Sequence, residues 1–131
     1  MVPRSLMLTT KKAVAKRVLI LLLTAAVFAG CTPPGPRAFL QGQKLLEDGR
    51  YLEAIDKLKT ATSLLASNAQ AWNYLGLACQ YANQPTNAAP AYARALKLDP
   101  DLVEAHYNLG CLWIEQKKFD SAKAELITYT S

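Results

Sequence analysis

Residues 69–102 read AQAWNYLGLACQYANQPTNAAPAYARALKLDPDL, and this stretch decides the fold. Its apolar residues return at steps of three and four in two blocks, Trp72, Leu75 and Cys79 in the first and Ala88, Tyr92 and Ala95 in the second. That is the spacing of one buried face on each of two helices. Asn83 divides the blocks, and Leu98-Asp99-Pro100 closes the second, since proline has no N–H to donate and its ring obstructs the preceding turn. Shifted by 34 residues in either direction, the pattern finds itself again without a gap. Gly42, Gly76 and Gly110 share a column, as do Ala54, Ala88 and Ala122. Ala61 and Ala95 share another, where the last copy has Tyr129, and Tyr51, Pro85 and Phe119 form a fourth.

Self-similarity at this period predicts stacked helical hairpins, each burying its apolar face against the next. The expected helices are 37–48, 51–65, 69–82, 86–98, 103–116 and 119–130, with Gly49 and Asn83 at inner turns. Six helices make three hairpins in an all-α fold, the repeats covering about 35–68, 69–102 and 103–131 of a domain spanning 37–131. Glycine and alanine recur where helices approach closely, because a larger side chain would push apart axes that pack at about 8–10 Å. Trp72, Leu75, Tyr92 and Leu96 then fill the remaining space. Pro90 falls inside the fourth helix and removes one backbone hydrogen bond, so a kink or a late start is expected there. Leu126, Ile127 and Tyr129 have no following hairpin to pack on, which leaves the last repeat uncapped.

In the second repeat Trp72, Leu75, Gly76, Ala88, Tyr92, Ala95 and Pro100 stand in the order and spacing of the tetratricopeptide repeat (TPR), with Cys79 where the family usually has tyrosine. The third repeat resembles it through His106, Leu109, Gly110, Trp113, Phe119, Ala122 and Leu126, and the first more weakly through Gln41, Gly42, Leu45, Tyr51, Ala54, Leu58 and Ala61. The resemblance implies a helical-hairpin solenoid with a concave groove that binds a protein or peptide partner. Carried over by family phase, the groove positions are Phe39, Gln43 and Leu46 in the first repeat and Gln70, Asn73, Leu77, Gln80 and Tyr81 in the second. In the third they are Glu104, Tyr107, Cys111, Ile114 and Glu115. The mixture of aromatics and amides suits an extended peptide or a helix held by a few buried side chains. The family's clamp for a C-terminal carboxylate uses Lys and Asn early in the groove, where this chain has Phe39, Gln43, Gln70, Asn73 and Leu77, so that clamp is absent.

The chain of 131 residues carries a net charge of +5, but the charge is unevenly placed. Arg4, Lys11, Lys12, Lys16 and Arg17 precede the apolar run Val18 to Phe28, while Cys31 to Ser131 holds ten basic and ten acidic residues. A neutral domain without a basic stripe is not built for a phosphate backbone, so no nucleic-acid partner is expected. Residues 1–30 have the layout of a secretory signal. Their end, Phe28-Ala29-Gly30-Cys31, resembles the bacterial lipoprotein box apart from Phe28 in place of leucine. That resemblance implies cleavage after Gly30, lipid on Cys31 and attachment to a membrane, with Thr32 after the cysteine favouring the outer membrane facing the periplasm. Two or three acyl chains anchor stably at about 0.8 kcal/mol per buried methylene. Ordinary signal cleavage with a free Cys31 thiol and an uncleaved signal anchor are the alternatives. The proline-rich residues 31–36 read as a stiff, non-helical spacer.

No catalytic or metal constellation is legible, and no cofactor is called for. His106 occupies the aromatic position of its repeat, where packing is the natural role, and pairing it with Cys111 gives the one hydrolytic alternative. Cys79 and Cys111 lack zinc-site spacing and differ in helical phase, which predicts two separate thiols. The expected function is a membrane-anchored scaffold in envelope, secretion or pilus assembly. The bare last hairpin implies a covering partner, a second copy of the chain, or a longer array of which these repeats are the N-terminal part.

Overall fold

The structure, a computed structural model, describes residues 32–130. The leader, Cys31 and Ser131 lie outside the described residues, and with them the expectations of a cleaved signal and a lipidated cysteine. The described residues form six α-helices and no strand: α1 (Pro34–Glu47), α2 (Tyr51–Leu64), α3 (Ala69–Tyr81), α4 (Pro85–Leu98), α5 (Val103–Glu115) and α6 (Phe119–Thr130). They pair as hairpins α1/α2, α3/α4 and α5/α6. The hairpins stack through α2 on α3 and α4 on α5, and the inner helices α1, α3 and α5 lie side by side. No helix among the described residues is long and apolar enough to cross a membrane.

The expected non-helical spacer is corrected in part. Thr32 and Pro33 precede α1, but Pro34, Gly35 and Pro36 form its first turn. The first N–H groups of a helix have no intrahelical acceptor, so prolines there lose nothing and their fixed φ favours the turn. The ladder begins where Arg37 N donates to the Pro33 carbonyl at 3.1 Å. Gly35 is buried, and a Cβ on it would lie 2.9 Å from Leu65 Cγ, so the start of α1 is packed against the end of the first hairpin.

Each hairpin turns the same way. Gly49, Asn83 and Lys117, each separated by the repeat period, have φ of 75°, 56° and 58°. At each the next residue's N–H reaches back five residues, Arg50 to Leu45, Gln84 to Cys79 and Lys118 to Trp113, all at 2.8 Å. This left-handed closure caps orphan carbonyls, and glycine adopts it without strain. Lys117 was not expected in that conformation, because lysine carries no turn signal.

The core follows the small-residue columns. Ala54, Ala61, Ala78, Ala88 and Ala95 are fully buried, and so are Leu58 and Tyr92. A Cβ on Gly42 would lie 2.5 Å from Leu58 Cγ, one on Gly76 2.6 Å from the Tyr92 ring, and one on Gly110 2.9 Å from Leu126 Cγ. The same glycine-to-large contact therefore joins the helices of every hairpin. Burying a side chain of the size of Leu58 contributes about 1.5–3 kcal/mol. Leu126 is half-buried through this contact, so at the last edge the outward apolar residues are Ile114, Phe119 and Ile127, while the Tyr129 side chain is outside the described set. α4 begins at Pro85 and continues through Pro90, with neither a break nor a late start. Pro90 is exposed in the second turn, and its missing N–H removes one rung of the helical ladder, the bond to the Thr86 carbonyl.

Candidate functional site

α1, α3 and α5 line a concave groove of about 560 Å³. Gln43 comes from α1, Gln70, Asn73, Tyr74 and Leu77 from α3, and Val103, Glu104, Tyr107 and Asn108 from α5. The Asn68 side chain caps α3 by accepting the Ala71 N–H at 2.9 Å, which sets the phase at which Gln70 and Asn73 leave the helix. In the next repeat Asp99 Oδ1 accepts the Asp101 N–H at 3.2 Å and the buried Leu102 precedes α5, so Val103 and Glu104 emerge on the same side.

The floor is polar and fixed. Asn73 is only 4% exposed, and its Oδ1 accepts a 3.1 Å bond from Asn108 Nδ2 across the α3–α5 seam. Each primary amide offers two donor hydrogens and an acceptor oxygen, so this one bond leaves donor capacity on Asn73 and an acceptor on Asn108. Tyr74 is braced from behind by Phe39, edge to face with centroids 5.5 Å apart. Leu77, Val103 and Tyr107 supply apolar and aromatic surface. Glu104 is the one charged side chain among the described groove residues, and α3 carries none along its length.

Of the expected groove residues the structure gathers six: Gln43, Gln70, Asn73, Leu77, Glu104 and Tyr107. Phe39 and Leu46 are half-buried against the core instead, and Cys111 is half-buried and does not line the groove. Gln80 and Glu115 are engaged with each other: Gln80 Nε2 donates to Glu115 Oε1 at 2.8 Å, and Tyr92 donates its hydroxyl to Gln80 Oε1 at 2.8 Å. Burial of Tyr92, reinforced by Tyr81, Glu115, Cys79 and Cys111, pushes its phenol far above the ordinary range, so it stays a neutral donor in this chain of bonds. Tyr81 sits outside the groove at the inter-helix turns, its ring 5.3 Å from that of Tyr51. Ile114 faces the last edge with Phe119, Leu126 and Ile127. Tyr74, Val103 and Asn108 were missed; Tyr74 and Asn108 form one column of the repeat, and that period was the available signal.

His106 bridges α5, α6 and the preceding turn. Its Nε2 lies 2.9 Å from the Pro100 carbonyl and its Nδ1 2.7 Å from Glu125 Oε2. A carbonyl and a carboxylate accept, so the doubly protonated ring is the form that satisfies both contacts. Burial works against the charge, but the Glu125 bond, the Pro100 carbonyl and Asp101 outweigh it and raise the imidazole above its ordinary value. The contacts of both nitrogens are thus with Glu125 and Pro100. Cys79 is buried in the core, which pushes its thiol up despite Lys59 nearby, and neither Cys79 nor Cys111 is in a disulfide. Among the described residues no cluster of His, Cys, Asp and Glu is arranged to hold a metal.

Two family models, both described as tetratricopeptide repeat, match residues 39–79 and 80–131. Together with the three hairpins they show that the chain belongs to the tetratricopeptide-repeat family. It is similar to the peroxisomal targeting signal receptor of Candida albicans, 36% identical over 76 residues that cover 58% of this chain and 13% of that protein. The chain thus spans about an eighth of that relative's length. Among solved structures it is similar to the TPR2B-domain:pHsp70 complex of yeast Sti1, with a TM-score of 0.72 and 18% identity over 73% of this chain and 77% of that one. It is also similar to the second TPR of Spaghetti (RPAP3) bound to an HSP90 peptide, with a TM-score of 0.71 and 19% identity over 73% and 89% of the two chains. These likenesses establish the fold, and the fold implies a scaffold for protein–protein interaction.

Proposed function

We propose that this tetratricopeptide-repeat protein is a membrane-anchored scaffold of the bacterial cell envelope that holds a peptide segment of a partner in its concave groove. The observation that carries the reading is the groove itself, which runs across all three inner helices and offers amides at its floor and tyrosine and leucine at its walls. An extended segment needs donors and acceptors for its backbone and pockets for alternate side chains, and the groove has both. The absence of Lys and Arg from the described groove residues separates this protein from a receptor for acidic chain ends such as the HSP90 peptide bound by its structural neighbour.

The anchor rests on the lipoprotein-like Phe28-Ala29-Gly30-Cys31 and on the packed start of α1 so soon after it, which would hold the domain close to the outer membrane, facing the periplasm. The apolar edge made by Ile114, Phe119, Leu126 and Ile127 is where a second copy of the chain would dock. Photocrosslinking side chains at Leu77 and Tyr107, compared with Thr60 and Lys97 on the outer helices, test the groove in intact membranes. Adducts confined to the groove positions are expected, and equal adducts at the outer positions would refute it. Radiolabelled lipid on the parent and none on Cys31→Ser, with globomycin blocking processing, is the expected result for the anchor; unlabelled, normally processed protein would refute that part.

A further inference from the structure

The charge of the groove defines its occupant more closely, on the reading just given that the groove is the binding surface. We infer that it selects an extended peptide segment bearing a lysine or arginine, which pairs with Glu104, and rejects segments rich in Asp and Glu or ending there in a free carboxylate.

The charges on the inner helices carry this inference. α3, at the centre of the groove, has no ionisable acid or base apart from Tyr74, Tyr81 and Cys79. On α5 the acids are Glu104 and Glu115, and Glu115 is spent on Gln80, whereas Glu104 is exposed at the groove and bonded to none of the described side chains. Lys44 of α1 pairs with Asp48 at 3.8 Å and lines a different surface with Gln41, Leu45 and Arg50. Arg37 of α1 is exposed and is not among the residues that line the groove. The described residues that line the groove therefore include no cation to offset Glu104, and His106, on the same helix, is engaged with Glu125.

A charge flanked by amides discriminates in a definite way. Gln43, Gln70, Asn73 and Asn108 can hold any backbone, because each offers both donors and acceptors. They supply affinity without choosing between sequences. Glu104 does choose, since opposite charge is attracted there and like charge is repelled, and Asp101 just before it adds to the negative field. The positive end of α5 weakens that field within its first turn but carries only about half a charge. Val103 and Tyr107, on either side of Glu104, offer apolar surface for the methylene stem of a lysine or the plane of an arginine.

The test uses the full chain in detergent micelles and a random peptide library displayed on phage. Peptides enriched in Lys or Arg are expected on the parent protein. A labelled peptide chosen from them should bind about fivefold more tightly than its Lys→Glu version, the scale of one partly exposed ion pair. Glu104→Gln should abolish that difference and Glu104→Lys should invert it, with thermal melts showing that both variants fold, as an exposed position predicts. Enrichment without charge preference, or a preference that persists in Glu104→Gln, would overturn the inference while leaving the groove reading intact. Selected peptides that bind Leu77→Asp as well as the parent would sit elsewhere on the surface, and the groove reading would fall with the inference.

Discussion

His106 stands one repeat after Trp72 and makes the same tether. Trp72 Nε1 donates to the carbonyl of Ala66 at 3.0 Å, and His106 Nε2 reaches the carbonyl of Pro100 at 2.9 Å, in each case six residues back. Both rings therefore pin the first helix of a repeat to the turn that enters it. The difference is that the indole has no second nitrogen, whereas His106 also binds Glu125 on α6 through Nδ1. A neutral packing residue has been replaced by one whose grip depends on its charge.

That grip gives the stability of the last hairpin a pH dependence. The folded-state value is raised above the ordinary value of about 6.5, so below that pH the imidazolium is present in both states and its contribution is complete. As pH rises through the folded-state value the proton is lost, and one of the two acceptors loses its donor. The parent should lose stability as pH rises above the ordinary imidazole value and through the raised folded-state one, while His106→Gln should show a flatter profile. Urea midpoints across that range measure it; parallel profiles would show that His106 does not carry the effect.

Gly76 faces Tyr92 so closely that a Cβ would lie 2.6 Å from a fully buried ring. Alanine is worth about 1 kcal/mol more than glycine in a helix interior, but overpacking costs about 1–3 kcal/mol where the neighbour cannot yield. Gly76→Ala should therefore destabilise and Gly76→Leu should do so severely. Equilibrium unfolding of Gly76→Ala with a midpoint at or above the parent's would refute the close approach.

The three hairpin turns differ in strain. Gly49 adopts its positive φ freely, whereas Lys117 does so at a cost of about 1 kcal/mol. Lys117→Gly should stabilise the protein by roughly that amount, and Gly49→Ala should destabilise it similarly. Thermal melts of the two variants should shift in opposite directions.

Pro90 lies in an unbroken helix without contributing an N–H. Its replacement by alanine restores a bond and removes a ring clash worth about 3 kcal/mol, less up to about 1 kcal/mol for the freer unfolded chain. A net gain of about 2 kcal/mol is expected for Pro90→Ala in chemical denaturation. An unchanged midpoint would mean that the local backbone has already absorbed the proline.

Much of the fold was legible because it is periodic. The glycine, alanine and large apolar columns mark close approaches that recur in every hairpin, and Gly42–Leu58, Gly76–Tyr92 and Gly110–Leu126 obey one rule. The groove was legible only in part. Tyr81 and Ile114 sit near the C-terminal ends of α3 and α5, where the turns and the last edge divert them from the groove. Lys117 was opaque because lysine's choice of a left-handed turn is imposed by the hairpin around it, and Pro34–Pro36 because proline's effect depends on whether it begins a helix or interrupts one.

By itself the sequence determined the repeat length, the number of helices and the faces they bury, since helix periodicity and side-chain volume are local properties that survive translation by one repeat. Tertiary structure decided which exposed residues meet. The two side-chain bonds that cross the α3–α5 seam, Asn108 to Asn73 and Gln80 to Glu115, join residues 35 apart, one more than the period that aligns the columns. Neighbouring hairpins thus touch one residue out of step with their alignment, an offset set by how whole helices pack and not by any short stretch of chain. That offset joins Asn73 to Asn108 at the floor, engages Gln80 and Glu115 with each other, and leaves Glu104 exposed at the groove.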